Sequence, residues 1–142
     1  MDETRETLPS SKGTYSLIMR ISETTQLTVG KLGTYEFRDG WYTYVGSALG
    51  SGGLRARLGH HLSSATKPHW HIDYLRMAAS IREVWYVVSE TAYEHRWANE
   101  LLSRPGAEIP VRCFGASDCT CVTHLIRFRQ RPDLEAFSKA LG

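Results

Sequence analysis

The chain has 142 residues, 42% of them hydrophobic and 23% charged, which suits one soluble globular domain with its own core and is short for two. Its 17 basic and 15 acidic residues leave a net charge of +2, too little by itself to mark a nucleic-acid-binding protein. No apolar run approaches the length of a membrane span; the longest is VWYVV at 84–88.

The first residues, MDETRETLPSSKG, are polar and partly acidic, without the apolar stretch of a signal peptide, and residues 1–12 read as a disordered lead-in. Three cysteines, Cys113, Cys119 and Cys121, are an odd number and point to reduced thiols in the cytoplasm. TYSLIMRI at 14–21 alternates as a strand, with Tyr15, Leu17, Met19 and Ile21 on one face. Residues 26–29 and 33–37 extend a meander, with Gly30 and Gly33 as turn points. RDG at 38–40 is a turn before WYTYVGSA, a strand rich in aromatic and β-branched residues.

From Leu54 the period becomes helical, through Leu58, Leu62 and Ala65. Pro68 breaks it, and Trp70, Tyr74, Leu75 and Ala78 suggest a second helix. IREVWYVV at 81–88 is the next strand, and residues 89–102 form a helix capped by Ser89 and stopped by RPG at 104–106. Residues 110–128 are irregular apart from a short strand at HLIRF, and DLEAFSKAL after Pro132 is a terminal helix. The expected fold is α+β: a small antiparallel or mixed sheet of three to four strands, flanked by helices in α/β/α layers. Residues 13–128 form the main domain, followed by a C-terminal helix within 129–142.

Five residues combine into chemistry. Tyr15 and Tyr44 sit near strand ends, Arg57 and His61 are four apart on one helix, and Glu94 falls early in a later one. Each alone is explained by packing or by a solvated surface. Together they are what metal-assisted phosphodiester hydrolysis uses: a carboxylate for a hard divalent cation, a guanidinium for the phosphate, and phenol and imidazole to relay protons. Gly46, after Tyr44, would let a backbone or phosphate come close. Residues 53–76 also gather Arg55, Arg57, Lys67 and Arg76 with four histidines and one acid, Asp73. Charge alone slightly favours an ordinary solvated surface there.

GTY at 13–15, YVG at 44–46 and LRARLGHHL at 54–62 resemble the signatures of the GIY-YIG nuclease superfamily. HWHIDYL at 69–75 and FGASDCTCVTHL at 114–125 are similar to a subfamily of small prokaryotic proteins, fused in some members to an endonuclease-III-type DNA glycosylase. The resemblance covers about residues 13–128. It implies an α/β/α fold and a divalent-metal-dependent DNA endonuclease with a place in DNA repair. Tyr15 and Tyr44 would position or deprotonate the attacking water. Arg57 would clamp the phosphate, His61 would assist proton transfer or phosphate binding, and Glu94 would hold one Mg²⁺ or Mn²⁺. The implied partners are branched, damaged or partly single-stranded DNA and a glycosylase or other repair protein.

Twenty-eight residues separate Tyr15 from Tyr44, and the loop GSALGSGG is long, both more than many members have. Arg55 is therefore a rival to Arg57, and Glu100 to Glu94. The polar residue that many members carry after the glutamate helix has no clear match; Ser117 or Asp118 would stand in.

HWHIDYL and SDCTCVTH leave alternatives. Cys119, Cys121 and His124, with His71, could make a zinc site, against the favoured reading of buried thiols and a backbone-bonded histidine. A third reading has His71, Asp73 and Asp118 lining a DNA cleft beside Glu94. Trp70 is the tryptophan to offer as a base-stacking platform. GGLRAR lacks the Gly-Lys-Ser/Thr of a phosphate loop, which argues against nucleotide binding. The alternatives to an endonuclease are a non-catalytic nucleic-acid-binding accessory module on the same fold and a zinc-stabilised interaction protein.

Overall fold

The computed structural model describes residues 8–63, 70–115 and 123–141. Among these residues the strands are β1 (Gly13–Ile21), β2 (Thr25–Thr28), β3 (Thr34–Phe37), β4 (Gly40–Ala48), β5 (Ser80–Val88) and β6 (Leu125–Phe128). The α-helices among them are α1 (Gly53–Leu62), α2 (His71–Leu75), α3 (Glu94–Leu102) and α4 (Leu134–Leu141), and a 3-10 turn spans Gly30–Leu32. The fold is α+β. A four-stranded sheet in the order β5-β1-β4-β6 is antiparallel throughout, and β2 and β3 form a second, two-stranded sheet.

β1 is buried along nearly its whole length because both of its faces are covered. Tyr15, Leu17, Met19 and Ile21 enter one core with Leu54 and Leu58 of α1 and Ile72 and Leu75 of α2. Ile18 enters another with Trp97 and Leu101 of α3 and Phe137 of α4. The period-2 alternation of the strand thus divides its side chains between two helical layers, as expected. α4 is integral to the second layer: Phe137 packs its ring 5.2 Å from that of Trp85 and 5.3 Å from that of Trp97.

Three expectations are corrected. The segments at 26–29 and 33–37 do not extend the main sheet, since among the described residues β2 and β3 pair only with each other. β1 instead matches β4 along its full length, Gly13 against Ala48 through Ile21 against Gly40. The two long apolar strands bury each other, and the short half-exposed hairpin is left on the flank. The helix expected from Ser89 begins at Glu94; the Ser89 hydroxyl accepts the Thr91 N–H in a local turn of its own.

The third correction concerns residues 8–12 of the lead-in; residues 1–7 lie outside the described residues. Residues 8–12 pack against the head of α1, with Leu8 only 2% exposed. The carbonyls of Ser11 and Pro9 accept the Leu54 and Arg55 N–H groups, each at 2.9 Å. The first N–H groups of a helix have no partner within it, and these carbonyls supply one. Gly53, at φ +58, makes the approach practicable: a Cβ there would lie 2.2 Å from the Ser10 carbonyl oxygen. Gly53, the first residue of α1, thus serves the chain's own N-terminal segment.

Candidate active site

The site forms where β1 begins and β4 ends, because antiparallel pairing sets Tyr15 directly across from Gly46. Gly46 carries no side chain, and the Tyr15 ring fills that space: a Cβ on Gly46 would stand 2.5 Å from the Tyr15 hydroxyl. The room that Gly46 was expected to give a phosphate is occupied by Tyr15 and is buried. Tyr44 lies on the same face, with its ring against those of His61 and Phe114.

α1 supplies the next groups. Its apolar residues Leu54 and Leu58 seat the helix on the sheet, and His61, one turn beyond Arg57, points into the same corner. Tyr15 Oη and His61 Nε2 share a buried 2.7 Å hydrogen bond. Burial raises both phenols above the ordinary tyrosine range, with Arg57 the main opposing influence at Tyr15. Neither tyrosine is therefore a standing base. Each is a neutral hydroxyl, and that of Tyr15 is fixed by His61.

Arg57 is held in two ways. Its Nη1 donates to the Ser47 carbonyl at 3.1 Å, and its guanidinium lies over the Trp70 ring, 4.5 Å from the centroid. Trp70 thereby backs Arg57, with one face covered. An open recess of about 180 Å³ is lined by Ala48, Gly50, Gly53, Arg57, His60 and Trp70. His60 in turn bonds Asp73 through Nε2 at 3.0 Å, and Asp73 accepts the Trp70 N–H at 2.9 Å, which starts α2.

Glu94 opens α3 at the same end of the sheet. The backbone N–H of Tyr93, just before it, donates to the buried Thr14 hydroxyl at 2.9 Å, so the residue beside Tyr15 anchors the helix that carries Glu94. The Glu94 side chain is 25% exposed, lies 3.7 Å from His124 Nδ1, and pushes both tyrosines further up. Glu100 lies farther along α3, beside Arg104 at 3.4 Å.

Tyr15, Tyr44, Arg57 and His61 are therefore brought together, with Glu94 within electrostatic reach. Arg55 is directed elsewhere, its Nε donating to the Leu8 carbonyl at 2.9 Å. His71 is a tie between segments: its Nδ1 accepts the Gly115 N–H at 2.8 Å. His124 is buried, and its backbone links the Phe114 carbonyl to the Val45 N–H. Ser117, Asp118, Cys119 and Cys121, on which the zinc and cleft readings depend, lie outside the described residues, as does His69. Sequence reasoning missed the anchoring role of Thr14 and the His60–Asp73 pair. GHHL and HWHIDYL held the signal for that pair, but only the fold places α1 beside α2.

Burial holds the His61 imidazole down to about 3, against the pull of Asp73, from an ordinary value of 6.5. Below an unfolded-state pKa of about 6.5, the unfolded chain takes up a proton that the folded chain refuses until about pH 3. Above that window the titration of His61 does not alter stability; within it, stability falls as pH falls, by up to about 1.4 kcal/mol per pH unit. His124, also pushed down by burial, adds to the slope. Urea unfolding at pH 7 and pH 5 should show this loss, and His61→Gln should flatten it. Equal slopes in the two proteins would exclude His61 as a source.

A family model described as a domain of unknown function, DUF123, matches residues 14–141. No curated protein and no solved structure matches the chain.

Proposed function

The chain belongs to the DUF123 family, and we propose that it is a divalent-metal-dependent DNA endonuclease of the GIY-YIG kind, cytoplasmic and acting in DNA repair. The observation that carries this reading is Arg57. It is held by the Ser47 carbonyl and the Trp70 ring, opens on a recess, and adjoins the buried Tyr15–His61 pair. A guanidinium fixed in advance loses little entropy on clamping a phosphate, and it stabilises charge as charge develops.

Glu94 fits a hard cation such as Mg²⁺ or Mn²⁺, because it offers carboxylate oxygen at a partly exposed position that leaves space for water ligands. Such an ion, when bound, supplies charge neutralisation on the phosphate and a more acidic water. The protein's own residues do the rest. Arg57 holds the phosphate, Tyr15 and Tyr44 orient their neighbours as neutral hydroxyls, and His61 fixes Tyr15. Thr14 keeps Glu94 in place through the head of α3.

The test is to incubate supercoiled, branched and abasic-site DNA with the full chain and Mg²⁺ or Mn²⁺. Nicking is expected, with Glu94→Gln lowering it by about 100-fold or more. No cleavage of any substrate, or cleavage indifferent to Glu94→Gln, would rule the reading out. The deep burial of Tyr15, Tyr44 and His61 favours a second reading, a DNA-binding accessory to a glycosylase, which predicts binding of the same DNA without strand breakage.

A further inference from the structure

His60, His61 and Asp73 form a cluster that the endonuclease reading does not use as a unit. One ring nitrogen of each histidine and a carboxylate oxygen of Asp73 all lie within 4.8 Å of one another. We propose that these three residues bind a transition-metal dication of the zinc class, at a site separate from Glu94.

The donor set argues for that class of ion. Two imidazoles and one carboxylate suit zinc and its neighbours, whereas magnesium prefers oxygen. His61 already has the form of a ligand. Its Nε2 is bonded to Tyr15, while its Nδ1 is buried with no hydrogen-bond partner among the described residues. A buried imidazole nitrogen without a partner costs free energy that a metal bond would offset. Metal-bound histidines commonly engage their second nitrogen with another group, which fixes the tautomer, and the Tyr15 oxygen would do that here. Burial keeps the ring neutral, as ligation requires.

Asp73 supplies negative charge and is held by the Trp70 N–H, and its side chain is only 8% exposed. Arg57 and Arg76 stand near enough to influence His61, and their charge weakens cation binding, so the site is exchangeable. Three protein ligands leave a coordination position open, the arrangement of zinc sites that also take water or an anion. His60 lines both this cluster and the recess below Arg57. The site also joins α1 to α2, which carry its ligands on either side of residues 64–69.

Calorimetric titration of the chelator-treated full chain with zinc, without DNA, tests this directly. One equivalent is expected to bind, with affinity lowered at least about tenfold by His60→Ala and by Asp73→Asn. His60 is partly exposed, and Asp73→Asn keeps an oxygen for the Trp70 N–H, so neither should unfold the protein; unchanged urea midpoints check that. Cobalt in place of zinc should show visible ligand-field bands without a thiolate charge-transfer band. Glu94→Gln should retain the zinc site, so this result stands apart from the nicking assay. No zinc binding, binding unchanged in both variants, or a thiolate band lost with Cys119→Ser would each overturn the proposal.

Discussion

Gly46→Ala is expected to destabilise the fold by about 3 kcal/mol and to abolish the Tyr15–His61 hydrogen bond. The backbone at Gly46 is not in the left-handed region, so the penalty is purely steric. The new Cβ would lie 2.5 Å from the Tyr15 hydroxyl oxygen and 2.6 Å from the ring carbon that bears it. Such contacts do not survive, so either the ring or the strand pairing must move. Overpacking of this kind costs about 1–3 kcal/mol. Withdrawal of Tyr15 leaves His61 Nε2 buried without its partner, which adds about 1–3 kcal/mol. Gly50→Ala is the control. A Cβ there meets nothing within 4 Å, and its effect should be within about 0.5 kcal/mol. Urea midpoints of the two variants measure the contrast, and equal midpoints would show that Tyr15 does not depend on the space over Gly46.

Arg57→Ala should reduce DNA nicking by about 100- to 1,000-fold, at a stability cost of about 1–2 kcal/mol. Removing one preorganised donor to developing negative charge costs about 2.7–4 kcal/mol in activation free energy. Among the described residues, the folded state loses a part-buried hydrogen bond to the Ser47 carbonyl, a stack on Trp70 and the influence of Arg57 on Tyr15. Arg55→Ala should cost a similar amount of stability and spare nicking. It removes a tie to the Leu8 carbonyl, which contributes about 1 kcal/mol to stability, and should leave nicking within about twofold. Comparable losses of nicking in the two variants would return Arg55 to the site. The nicking assay uses the panel of supercoiled, branched and abasic-site DNA rather than one duplex.

The strands at 13–21, 40–48 and 80–88 were legible because alternation and β-branched content are local signals, and α4 because its apolar face is. Tyr15, Tyr44, Arg57, His61 and Glu94 were legible as residue types in an order that resembles a nuclease family. Their environment was not. Nothing local in GTY says that the tyrosine hydroxyl meets a histidine 46 positions later, nor that the threonine beside it anchors the helix bearing Glu94. Residues 8–12 looked disordered because their composition is polar. Leu8 and three backbone carbonyls attach them to α1, and backbone hydrogen bonding has no composition.

The glycines mark the same division. YVGSALGSGG by itself establishes that backbone freedom and small volume are needed there. Only strand register decided that the volume at Gly46 belongs to Tyr15, and only the path of residues 8–12 decided that the volume at Gly53 belongs to their carbonyls. By itself the sequence determined the element types, the two-faced character of β1 and the set of chemically capable side chains, since each depends on residues a few positions apart. Tertiary structure decided which of those side chains meet, which arginine faces the recess, and that His60 and His61 share a corner with Asp73. Those outcomes depend on distances between segments that no local periodicity encodes.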